Sequence, residues 1–126
     1  MLGKIKLGIS IGDPNGIGIE IILKIFEDRR LFEFFTPVIF APIRLLKNQK
    51  NHFNLNCSLI LKKKSQKFQK ANLNVFDLPM PDTKLVFGEA SKLAGKIAFE
   101  SLKSATIALK NKEIDYICKL IKSFFK

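Results

Sequence analysis

The sequence predicts an α/β protein, a partial α/β/α sandwich on a parallel sheet, and three features carry that reading. An alternating apolar run opens the chain, a glycine-rich turn follows it at once, and apolar residues then recur at helical spacing before a second apolar run. Strand, helix and strand in that order form a parallel unit, with a crossover that is almost always right-handed.

Taken in order, Ile5, Leu7, Ile9 and Ile11 alternate with Lys6, Gly8 and Ser10, which predicts a strand with one buried face. The strand ends at Gly12. After the turn, Ile17, Ile21, Ile22, Ile25 and Phe26 recur at three- and four-residue steps up to Glu27, the stripe of an amphipathic helix. Arg29 to Phe35 reads as a short helical turn, Thr36-Pro37 as a break, and Val38 to Ala41 as the second strand. Pro42 to Lys50 then reads as a helix, with strands near Leu55 to Leu61 and at Leu73 to Leu78 on either side of a lysine-rich connection. Pro79, Pro81 and Asp82 mark a turn or crossing segment. Gly88-Glu89-Ala90-Ser91 opens a long helix whose stripe is Leu93, Ala94, Ile97, Ala98, Leu102, Ala105 and Leu109. Glu113 to Asp115 ends it. Tyr116 to Lys126 offers no turn signal, no motif and no evident partner element, and the chain has no internal repeat.

Bulk properties narrow the classes. The 126 residues, 47% of them hydrophobic, suit one modest globular domain. Glu20, Lys24 and Glu27 interrupt the most apolar segment, which is therefore no spanning helix, and the N-terminus lacks a signal-peptide core; the cytoplasm is the expected compartment, with no membrane partner. The net charge of +11 is concentrated between Arg44 and Lys70, which hold eight basic residues and no acidic one, whereas Met1 to Ile43 balance five against five. This run is nearly all Lys and has Phe53 and Phe68 only at its margins, so it reads as a solvated basic loop and not as a nucleic-acid surface. Cys57 and Cys118 form no local metal or redox motif and are expected to be reduced and structural. His52 is the only histidine, which leaves no three-histidine metal site within one chain.

One segment carries chemistry. Gly12-Asp13-Pro14-Asn15-Gly16-Ile17-Gly18 joins strand to helix with three glycines in seven positions, so the backbone can turn tightly and approach a ligand. The helix start beyond it presents unpaired N–H groups and a partial positive charge that favour phosphate or carboxylate, and Asp13 or Asn15 could cap it or orient a ligand. The spacing matches neither the dinucleotide fingerprint nor the P-loop, and a purely structural turn is the alternative.

The run Ile9 to Glu20 resembles the opening of the 4-hydroxythreonine-4-phosphate dehydrogenase family, in which a strand leads into Gly-Asp-Pro-x-Gly-Ile-Gly-Pro-Glu; Ile19 stands where that family has Pro. Gly88-Glu89-Ala90-Ser91, Ala94-Gly95 and the helix on to Ile114-Asp115 resemble it too. The resemblance covers residues 1–115, counted from about Lys4, as the front part of a fold similar to isocitrate and isopropylmalate dehydrogenases. Residues 116–126 depart from it, where the family has a strand and Thr-Ala-Pro-Ile-Asn-Lys. A frameshift near Asp115 would explain the departure, and an intact downstream reading frame would support it.

The resemblance implies NAD- or NADP-dependent oxidation of a phosphorylated hydroxy acid, 4-phosphohydroxy-threonine, followed by decarboxylation, in pyridoxal phosphate biosynthesis. A divalent metal would polarise the oxygen, held by histidines shared across a homodimer. This chain matches none of those histidine motifs, so no catalytic or metal residue carries over and the chain alone is expected to be inactive, binding neither cofactor nor metal. Gly12, Asp13, Asn15, Gly16 and Gly18 are the residues expected nearest cofactor or substrate. The alternative is a small basic protein that binds anions or nucleic acid.

Overall fold

A computed structural model describes residues 4–12, 14, 18–62, 72–79 and 92–119. Strands β1 (Ile5–Ser10), β2 (Phe35–Ala41), β3 (Leu59–Leu61), β4 (Leu73–Asp77) and β5 (Tyr116–Lys119) form one sheet in the order β3-β4-β2-β1-β5, with every pairing parallel. Helices α1 (Gly18–Ile25), α2 (Ile43–His52) and α3 (Lys92–Lys110) connect the strands. The α/β class predicted from the sequence is the class observed.

Both sheet faces are covered, and β2 makes this visible by alternation. Ile39 and Ala41 join a core with Ile19, Ile22 and Leu23 of α1 and Leu45 and Leu46 of α2, while Val38 and Phe40 join a smaller core with Ala105 and Ala108 of α3 and with Ile114. The expectation of a single buried face on β1 is corrected for the same reason. Gly8, Ile9 and Ser10 are all buried, because Ile114 presses onto the face opposite Ile9. A Cβ added at Gly8 would lie 2.2 Å from Ile114 Cδ1.

Several boundaries shift. The buried stripe of α1 is Ile19, Ile22, Leu23 and then Phe26, a regular i, i+3, i+4, i+7 set; Ile21 is half-buried and Ile25 is 44% exposed. The expected set mixed two faces, and Ile17 lies outside the described residues. Arg29–Glu33 is the short helical turn, of 3-10 type, capped by Asp28. Thr36-Pro37 does not break the chain but lies inside β2. Pairing with β4 begins only at Val38, and Asn74 Nδ2 donates to the Pro37 carbonyl at 3.0 Å, so proline's missing N–H meets no demand from β4.

Between Leu55 and Leu61 only Leu59–Leu61 pairs as strand. Asn54, at φ 54°, ends α2, and Leu55 N then donates to the Lys50 carbonyl at 2.9 Å, which turns the chain inward so that Leu55 and Cys57 are buried. Along α3 the buried residues are Ala94, Ile97, Ser101, Ala105 and Ala108, with Leu109 38% exposed, so the stripe is narrower than expected and includes a serine. The expected opening of that helix at Gly88 to Ser91 lies outside the described residues. Tyr116 to Lys119, which offered no evident partner in the sequence, pair in parallel with Leu7 to Ser10 as β5. Asp115 sets this register: its carboxylate accepts from Lys6 N at 2.8 Å and its own N–H donates to the Lys6 carbonyl at 2.8 Å.

Candidate functional site at the carboxyl end of β1

In an open parallel sheet, ligands are bound outside the carboxyl ends of strands where the strand order reverses direction. Here the connection after β1 leads to β2 on one side, and α3 later returns the chain to β5 on the other side of β1. The reversal therefore falls between β1 and β5. The glycine loop begins there, with Gly12 half-buried just past β1 and Gly18 as the first residue of α1. These two of the five expected site residues flank the loop; Asp13, Asn15 and Gly16 lie outside the described residues.

Two buried side chains from different helices hold the loop's near end. Ser101 of α3 accepts from Ile11 N at 2.9 Å and donates from the same hydroxyl to the Phe40 carbonyl. Since Ser10–Phe40 is the last β1–β2 pair, the hydroxyl takes the place of the next rung of the ladder. From the other face, Gln49 of α2 donates through Nε2 to the Pro14 carbonyl at 3.1 Å. Sequence reasoning did not select either residue, although each left a signal as a polar residue on an apolar stripe. Ser101 stands four residues from Ile97 and from Ala105, and Gln49 four from Leu45.

Within α1, Glu20 pairs with Lys24 one turn on. His52 is exposed at the end of α2 and meets the Phe53 ring edge-on, with centroids 4.7 Å apart. Cys57 and Cys118 are both free thiols, and burial pushes the Cys57 thiol up, which suits a structural and unreactive role. Among the described residues no three His, Cys, Asp or Glu side chains group as metal ligands, and no helix is long and apolar enough to cross a membrane.

No family model matches the sequence. A D-threonate 4-phosphate dehydrogenase from Clostridium botulinum (strain Hall) is 32% identical over 114 residues, a match that takes in 88% of this chain and 34% of that protein. Over most of its length this chain is similar to the D-threonate 4-phosphate and 4-hydroxythreonine-4-phosphate dehydrogenases. The enzyme of that name from Bacteroides thetaiotaomicron is 28% identical over 114 residues, covering 90% of this chain and 31% of its own length. The fold agrees: the crystal structure of a 4-hydroxythreonine-4-phosphate dehydrogenase from Burkholderia phymatum superposes with a TM-score of 0.84 at 21% identity, over 94% of this chain and 36% of that one. The chain thus spans about a third of the length of the dehydrogenases it matches, at 34% and 31% of the two curated relatives. Ile19, where the family opening has Pro, is 1% exposed and contributes to the core under α1.

Proposed function

We propose that this chain is a segment of a nicotinamide-dependent dehydrogenase for a small phosphorylated hydroxy acid, to which it supplies the glycine loop and the sheet that carries it. The observation that carries the reading is the loop's place at the β1/β5 reversal in a relative of these dehydrogenases. Backbone N–H groups at the start of α1 suit a phosphate or carboxylate of cofactor or substrate. The divalent metal of the family does not fit the residues described, since His52 is the only histidine and no ligand group forms around it. No step through a metal is therefore assigned to this chain, which on this reading does not turn over substrate by itself. Cytoplasmic location and a homodimer belong to the same proposal for the whole enzyme.

Two measurements on the 126-residue chain test it. With 4-phosphohydroxy-threonine or D-threonate 4-phosphate, NAD or NADP, and magnesium or zinc, absorbance of the reduced nicotinamide is expected to stay at background; turnover would refute the inactivity. Titration with NAD or substrate is expected to shift the amide resonances of Gly12 and Gly18 first. Shifts confined elsewhere would remove the loop's role. The second reading, a polyanion-binding protein, draws on α2, which carries Arg44, Lys47 and Lys50 and no acidic residue. It requires an RNA affinity that falls steeply with salt.

A further inference from the structure

Ser101 and Gln49 are buried polar residues on helix faces that otherwise pack apolar side chains against the sheet. Each spends its hydrogen bonds on the same few residues. Ser101 holds the Ile11 amide from the α3 face, and Gln49 holds the Pro14 carbonyl from the α2 face, so the backbone on either side of Gly12 is gripped from both layers of the sandwich. Packing alone gives no reason for these side chains. Gln49 Oε1 is buried and, among the described residues, has no hydrogen-bond partner, so an apolar residue of similar volume would fill the site without desolvating an acceptor. What the amide gains there is the bond to Pro14. The Ser101 hydroxyl likewise joins two strand ends that a small apolar residue, like its neighbours Ala105 and Ala108, would leave unbridged.

We propose that Ser101 and Gln49 are positioning residues that fix the backbone at Ile11 and Pro14, on either side of Gly12, where the chain leaves the sheet to enter the glycine loop. The proposal rests on the reading of the loop as the ligand-facing element. A preset backbone matters in such a loop because each amide must already point at the anion when it arrives.

Amide hydrogen exchange on the whole chain tests it, comparing wild type with Ser101→Ala, Ser101→Thr and Gln49→Met. Ser101→Ala is expected to speed exchange at Ile11 and Gly12 about tenfold or more while Ile39 and Val75, in the middle of β2 and β4, stay within about twofold; tenfold corresponds to about 1.4 kcal/mol, the scale of one lost hydrogen bond. Ser101→Thr, which keeps the hydroxyl, is expected to restore the wild-type pattern. Gln49→Met is expected to speed exchange at Gly12 and Gly18 only. If Ser101→Ala does not fold, Ser101→Cys, with similar volume and weaker hydrogen bonds, replaces it. Equal acceleration at Ile39 and Val75 would mean a packing role, and unchanged exchange at Ile11 and Gly12 would mean no grip; either overturns the proposal. A separate arm adds NAD or inorganic phosphate to wild type: failure to slow exchange at Gly12 and Gly18 counts against the loop as ligand-facing, whereas the grip is judged on the ligand-free chain.

Discussion

Gly8 lies under Ile114, which follows α3, and its lack of a side chain is what lets Ile114 approach. Ile114 is 2% exposed and Phe40 Cε2 stands 3.3 Å from the same imagined Cβ, so a methyl at Gly8 cannot be absorbed by rotating one free side chain. Gly8→Ala is expected to cost about 1–3 kcal/mol by overpacking, measured by urea unfolding. Ile114→Val removes the offending Cδ1 and alone should cost about 0.5–1.5 kcal/mol. The double variant should be more stable than the sum of the two losses implies, and strict additivity would show that the contact is not the cause. At Asp28 the prediction concerns pH. Hydrogen bonds from the Arg30 side chain and backbone lower its carboxyl from 3.8 to about 2. A depressed carboxylate stabilises the fold above the unfolded-state value and loses that contribution as pH falls through the folded one. The melting temperature should therefore drop more steeply between pH 4 and 2 in wild type than in Asp28→Asn. Both side chains are exposed, Arg30 at 84% and Asp28 at 43%, so raising the salt should shrink the difference.

At the scale of elements, α2 and α3 both end on a left-handed residue with the same paired bonds, whereas α1 runs on toward the 3-10 turn without one. At the end of α3, Lys112 has φ 61°, its N–H donates to the Leu109 carbonyl at 3.0 Å, and Glu113 N donates to the Ala108 carbonyl at 2.9 Å. At the end of α2 the residue in that position is Asn54, which tolerates the conformation better than lysine does. Lys112→Gly should raise stability by about 1 kcal/mol because it relieves the Cβ clash of the left-handed region; a loss of stability would show that the lysine side chain contributes something the cap geometry does not. The start of α2 depends on a distant partner, since Pro42 offers no side-chain cap and Asp77, the last residue of β4, accepts from Ile43 N at 2.9 Å. Features of this kind mark where the sequence was legible. Element types and their order could be read from period and breakers, because a strand or helix is written in its own neighbours. The tertiary corrections had no local signal: whether Pro37 could sit in a strand depended on Asn74 and on where the β4 ladder begins, and whether Tyr116 to Lys119 formed a strand depended on β1, more than a hundred residues away. Gly12 and Gly18 could be named from the sequence for the opposite reason, since glycines between a strand and a helix are a local signal, while their use by a ligand rests on the proposal above. Ser101 and Gln49 could not, because their partners lie 90 and 35 residues distant.

For the whole molecule, the consequence of this topology is exposed strand edge and apolar surface. β5 closes one side of the sheet and, among the described residues, pairs with β1 alone and has no strand on its outer side. Phe99 on α3 is 62% exposed, Ile107 49% and Tyr116 63%, which places large apolar side chains on the helix and the edge strand that bound the same flank. The relatives are about three times as long, so the matched third has no need in them to be soluble alone. The chain by itself is therefore expected to associate as concentration rises, with light scattering showing a mass above one chain at tens of micromolar, despite a net charge of +11 that opposes contact between copies. High salt screens that repulsion and should increase association, which separates an apolar cause from an electrostatic one. Phe99→Glu combined with Ile107→Lys should reduce it without lowering the melting temperature, since both side chains are exposed. A monodisperse monomer that melts cooperatively at every concentration and salt would mean that this edge and face are already satisfied within one chain.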